Sequence, residues 1–158
     1  MSKKNYLSIY AKSFNWAGFF LPKETYKKCS ALYDFCRVVD NIADDCDLLE
    51  NKEKKFEQFQ NNFKTKNFNE PIIKEIWKLI DEFNISLYII YDLFDGIKSD
   101  IKKQVKLNSK KDLLIYSYRV AGTVGLMMAK ILKVKKKVHL NQLLILELQC
   151  SLLIFQEM

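Results

Sequence analysis

Apolar residues recur at helical spacing through YLSIYAKSFNWAGFF, and a short GFFL break with Pro22 separates this stretch from a second helical segment beginning at Lys23. In that segment Tyr26, Cys29, Leu32, Tyr33, Cys36, Val39 and Ala43 fall on one stripe, which predicts a long buried helix. The next stretch is polar apart from Phe56, Phe59 and Phe63, whose spacing suits an amphipathic surface helix ending near Asn67. Pro71 then opens a helical pattern that continues to Ile101, with Gly96 as a break or close-contact point. Ser109 is a candidate N-cap for the last periodic stretch, in which Ala121, Gly122 and Gly125 would let helices approach closely. The expectation is an all-α protein.

Composition narrows this picture without changing it. The 158 residues are 49% hydrophobic, enough for one core, and four glycines with two prolines leave few places for turns. The formal charge of +7 comes from lysines spread along the chain, with no nucleic-acid reader motif among them. Nucleic-acid binding is therefore not expected, while loose peripheral contact with anionic lipid stays open. Cys29, Cys36, Cys46 and Cys150 show no CxxC spacing and follow no secretory signal, so reduced thiols in a cytoplasmic protein are expected and a zinc site is not. No apolar run reaches the length of a membrane-spanning helix.

The unusual chemistry lies in YDFCRVVDNIADDCD, which crowds five aspartates into the fifteen residues from Tyr33 to Asp47. Asp40 and Asp44 are four apart, so on a helix their carboxylates repel on one face, near a C-terminal end whose dipole also disfavours anions. A hard cation such as Mg²⁺ would offset that cost, because it takes one or two carboxylates and completes its shell with water and phosphate oxygens. The alternative is that Asp44, Asp45 and Asp47 only solvate a helix end. Of 26 basic residues only Arg37 and Arg119 are arginine, and a planar guanidinium binds phosphate bidentately as lysine cannot. Arg37 precedes Asp40 by three residues and shares its face; pairing with Asp34 or Asp40 inside a bundle is the structural alternative.

Four blocks, KSFNWAGFFLP, ALYDFCRVVDNIADD, LFDGIKSDI and YSYRVAGTVGLMM, resemble blocks of the squalene/phytoene synthase family, in family order and nearest to bacterial phytoene synthases. The resemblance implies the N-terminal half of an isoprenoid synthase-type helical bundle. It also implies a transferase that condenses two geranylgeranyl diphosphates, through prephytoene diphosphate, to phytoene. Asp40 and Asp44 would be the first aspartate-rich motif, holding Mg²⁺ and diphosphate, and Arg37 would contact the diphosphate. Ser13, Phe14 and Tyr33 would line the same site. Tyr116 and Val120 would meet the reacting isoprenoid, with Gly122 and Gly125 giving it room; taken alone, Phe14 and Val120 suit plain core better. A squalene or hydroxysqualene synthase using farnesyl diphosphate, and a non-catalytic assembly member of the family, are the rival readings.

The resemblance stops at Lys137. The family's second aspartate-rich block resembles LGIAMQLTNISRDV, whereas this chain continues VHLNQLLILELQCSLLIFQEM. Synonymous codons for Val138 to Met158, chosen for the match and read one base earlier, can spell SALKPALDLGIAMQLTNISRD, and a stop after Met158 makes the next residue Val. Residues 1–137 are thus expected to be a partial isoprenoid synthase domain and 138–158 a frameshifted tail, entered at the adenine-rich codons of Lys135 to Lys137. Little or no synthase turnover is expected of such a chain, nor any chemistry from His139 or Cys150.

Overall fold

A computed structural model of the chain describes residues 16, 18, 20–45, 47–102 and 108–134. Ser13, Phe14 and the tail from Val138 lie outside the described residues. Helix α1 spans Lys23–Asp44, α2 Leu49–Lys64, α3 Pro71–Phe83, α4 Leu87–Ile101 and α5 Lys110–Ser117. The last runs without interruption through a π-helical turn at Tyr118–Gly122 into α6, Thr123–Ile131. There is no strand among the described residues, and none of their helices is long and apolar enough to cross a membrane. The fold is all-α, as the periodicity predicts.

Helix α1 is the central element, packing against α2, α3, α4 and α6. Its buried positions are Cys29, Ser30, Leu32, Asp34, Phe35 and Val39. The stripe read from the sequence is therefore displaced: Phe35 is wholly buried, while Tyr26, Tyr33, Cys36 and Ala43 are only partly covered. The reason is that a helix enclosed by neighbours on several sides buries more than one face, so a single apolar stripe under-describes it. One face meets an aromatic core and the adjacent one borders a cavity.

The aromatic core is built largely by α2. Phe56 and Phe63 are buried and Phe59 packs against them, so this polar helix contributes more to the interior than its charged surface suggests. The Phe63 ring stacks on Trp77 at 5.1 Å and meets Phe94 edge-on at 5.4 Å, geometries that suit the aromatic quadrupole. The Trp77 indole donates to the Phe63 carbonyl at 3.0 Å, which satisfies its one polar atom.

Two boundaries differ from expectation. Helix α2 ends at Lys64, because Lys66 turns into the left-handed region at φ 53° and the Asn67 amide bonds back to the Asn62 carbonyl. The long apolar pattern after Pro71 breaks at Asn84, not at Gly96. Asn84 takes φ 49° and ψ 51°, a conformation asparagine tolerates better than most residues, and the Ile85 amide closes the cap on the Ile80 carbonyl at 3.0 Å. Gly96 instead lies inside α4 as a close-contact point. A Cβ there would meet Val120 Cγ1 at 3.0 Å and Arg119 Cβ at 3.1 Å, so its absence lets α4 and the π turn approach.

Candidate functional site

The aspartate-rich segment forms the last turns of α1, and the structure divides its carboxylates by role. Arg37 Nη1 lies 2.6 Å from Asp40 Oδ2 and 3.8 Å from Asp44 Oδ2. All three therefore share one helix face, as the three- and four-residue spacings predict. Asp34 is buried in the packed face of the same helix. Asp45 and Asp47 are both held by Lys55 Nζ, at 2.7 and 3.0 Å, and Asp47 also accepts from the Leu48 amide and the Asn51 side chain. These bonds, led by that from Asn51, lower the Asp47 carboxyl to about 2. Solvating and tying down a helix end thus describes Asp45 and Asp47.

The helix end itself has no basic residue in its last turn. Lys52 supplies the cation from α2, donating to the Ala43 carbonyl at 2.7 Å. The Asp40 carboxyl is nonetheless raised above the ordinary carboxylate value, first by partial burial and then by the Asp44 charge, with Arg37 opposing both. Asp40 and Asp44 are a like-charge pair that Arg37 relieves only in part.

Asp40 borders a cavity of about 200 Å³, lined by Tyr33, Cys36, Arg37, Asp40, Leu93, Ile97, Val120 and Val124. One edge is a guanidinium, a carboxylate and a phenol; the other walls are branched aliphatic side chains from α4, the π turn and α6. Burial, the largest effect, raises the Tyr33 hydroxyl above its usual value, so it stays protonated as a donor near neutral pH. Of the residues singled out in the sequence, Tyr33, Arg37, Asp40 and Val120 meet here, with Asp44 beside them. Gly122, buried in the π turn, and Gly125, half-buried on α6, are not part of the lining.

Tyr116 stands one helical turn before Val120 and donates its hydroxyl to Asp100 Oδ1 at 2.8 Å. Two further bonds cross the same seam: Tyr118 donates to Asp92 Oδ2 at 3.1 Å, and Arg119 Nη2 lies 3.7 Å from Asp95 Oδ2. Sequence reasoning passed over Asp100, Leu93, Ile97 and Val124. The only signal for Asp100 was its place in LFDGIKSDI, where nothing marks it above its neighbours.

The donor chemistry suits Mg²⁺. Asp40 and Asp44 offer hard oxygens at a place where their own repulsion favours a cation, and the Arg37 guanidinium already fills that electrostatic role. Among the described residues no three acidic, histidine or cysteine side chains converge to cage an ion. A cation here would rely on water and ligand oxygens for the rest of its shell.

Comparison with known proteins gives the family. Residues 7–145 match the squalene/phytoene synthase family. A 4,4'-diapophytoene synthase of Staphylococcus haemolyticus is 30% identical over 78% of this chain and 44% of its own length. A 15-cis-phytoene synthase of Pantoea ananas is 27% identical over 86% of the chain and 48% of its own length, and a chloroplastic phytoene synthase 1 of Zea mays is 29% identical over 75% and 29%. The chain spans about half the length, or less, of these curated relatives. With a helical fold, an arginine and paired aspartates on one helix edge, and a family match over most of its residues, this chain belongs to the squalene/phytoene synthase family.

Proposed function

We propose that the chain carries the diphosphate-binding half of a phytoene synthase-type transferase, whose reaction joins two geranylgeranyl diphosphates through prephytoene diphosphate to phytoene. The observation that carries this reading is the placement of Arg37 and Asp40, with Tyr33, at one edge of a cavity whose far walls are aliphatic. A prenyl diphosphate has the matching shape, an anionic head on an apolar chain.

Proteins of this family are typically magnesium-dependent. Asp40 and Asp44 would hold Mg²⁺, which when bound neutralises diphosphate charge and makes it a better leaving group. Arg37 exchanges part of its pairing with Asp40 for the diphosphate oxygens, its planar fork serving both anions. Tyr33 donates to the same head group. Leu93, Ile97, Val120 and Val124 exclude water from the cationic carbon left as diphosphate departs, and Tyr116 faces the reacting chain. Ser13 and Phe14 belong to the same site by resemblance, and Gly122 and Gly125 leave room for the isoprenoid. The frameshifted origin of residues 138–158 and low turnover by this chain are part of the proposal.

Calorimetric titration of the 158-residue protein with inorganic diphosphate tests it. Binding is expected to require Mg²⁺ and to disappear in Asp40→Asn; binding that ignores either would sink the reading. Loss of the site with Asp40 would also count against a purely assembly-type member of the family. A shorter substrate, farnesyl diphosphate, is the second reading, favoured by the similarity to the staphylococcal protein named for 4,4'-diapophytoene. Competition between farnesyl and geranylgeranyl thiodiphosphates separates the two.

A further inference from the structure

Asp100 is placed where helix energetics argue against it. It is the penultimate residue of α4, where the C-terminal dipole disfavours an anion, and it is partly withdrawn from water. Among the described residues its bonded partner is the Tyr116 hydroxyl, at 2.8 Å and sixteen positions along the chain. The two sit next to the cavity. Ile97 lines it and Asp100 follows Ile97 by three residues on α4, so Asp100 lies on the same face one turn further on, and its bond brings Tyr116 to that end.

Electrostatics place the pair beside the aspartates as well. The Asp100 carboxyl lies above its ordinary value because of burial, with Asp40 and Asp44 adding to the rise and the bond from Tyr116 opposing it. The Tyr116 hydroxyl is pushed up by burial, by the bond to Asp100 and by the charges of Asp100 and Asp40. The Tyr118 hydroxyl is also raised, by burial and by the bond to Asp92 and its charge.

We propose that Asp100 is a positioning residue: by accepting the phenolic hydrogen of Tyr116 it fixes that ring and turns the oxygen's lone pairs, not its proton, toward a bound prenyl chain. This rests on the function proposed above. A phenol whose hydrogen is committed elsewhere cannot donate to diphosphate and be drawn to the head group. It acts as an acceptor, and an acceptor oxygen beside the chain stabilises positive charge as it develops there.

The test uses the 158-residue protein grown with fluorotyrosine, the Tyr116 fluorine resonance being identified by its loss in Tyr116→Phe. Asp100→Asn keeps the size of the side chain and removes its charge. It is expected to move that resonance, leaving those of the other tyrosines in place. Circular dichroism of the variant should match the parent. Binding of an ammonium analogue of the prenyl cation, in the presence of Mg²⁺ and inorganic diphosphate, should weaken roughly tenfold in Asp100→Asn, with no further loss when Tyr116→Phe is already present, while geranylgeranyl thiodiphosphate, uncharged along its chain, binds as before. An unmoved Tyr116 resonance overturns the proposal, as does an equal loss of affinity with and without Tyr116, since Asp100 would then act on its own. If the parent shows no Mg²⁺-dependent binding, the proposed function fails, while the Tyr116 resonance still decides whether Asp100 positions it.

Discussion

The Arg37 guanidinium lies 2.6 Å from the Asp40 carboxylate, and Asp44, one turn beyond on the same face, pulls on that guanidinium from 3.8 Å. One cation therefore serves two anions, and removing either anion has a sign that can be worked out. Asp44→Asn removes a like-charge neighbour and an unfavourable dipole contact while leaving the Arg37–Asp40 bond. We expect it to stabilise the fold by about 0.5 kcal/mol and to weaken Mg²⁺-dependent diphosphate binding, measured by urea denaturation and calorimetry. A gain in stability paired with a loss of binding is the signature of a residue kept for a ligand.

Arg37→Lys keeps the charge and loses the fork. Diphosphate affinity should fall by about tenfold or more because a lysine ammonium makes no bidentate contact, while stability should change by less than about 1 kcal/mol at this partly exposed position. Equal affinity in parent and variant would show that the guanidinium does not touch the diphosphate.

Asp40 and Asp47 predict opposite pH limbs. The Asp47 carboxyl is lowered from 3.8 to about 2, so its contribution is in full force above 3.8 and is lost as pH falls toward 2. The Asp40 carboxyl is raised, so the folded state holds that proton more tightly and stability falls as pH rises through the interval above 3.8. Asp47→Asn should flatten the acid limb of the stability curve, and Asp40→Asn should flatten the interval above it. Denaturation midpoints across this range measure both.

Gly96→Val drives two methyl groups into Val120 and the Arg119 backbone, and should cost about 1–3 kcal/mol through overpacking. Gly96→Ala should cost less, because better helix propensity returns about 0.5–1 kcal/mol. Thermal unfolding of the two variants gives the order; Gly96→Val as stable as the parent would mean the seam yields freely.

Resequencing the coding DNA from Lys135 onward tests the proposed change of frame. A frame continuing into the second aspartate-rich block supports it, and codons for 138–158 with no such frame beside them refute it.

Local chemistry made much of the fold legible. Pro22 and Pro71 mark helix starts, and Ser109 Oγ accepts the Asp112 amide as an N-cap should. Asn84 was illegible because apolar spacing runs straight across it, and a left-handed asparagine carries no mark that a right-handed one lacks. In the site, Arg37, Asp40 and Asp44 could be read because one helix carries all three and its period aligns them. The cavity walls could not. Leu93, Ile97 and Val124 have the same composition as core, and only tertiary packing decides which aliphatic faces meet and which leave a space. Asp100 was hidden for a related reason, since its partner Tyr116 is brought to it by the antiparallel pairing of two helices.

At the π turn the Thr123 amide reaches back five residues to the Tyr118 carbonyl instead of four, so one residue more is accommodated than an α-helix would hold. The extra residue is taken up in a wider turn and is not passed on as rotation, so deleting one residue of Tyr118–Gly122 would let the ladder close as a regular α-helix with Tyr116, Val124, Met127 and Ile131 facing nearly as they do now. An in-frame single-codon deletion should therefore be better tolerated in this stretch than in the middle of α4, where losing one residue turns everything beyond it by about 100°.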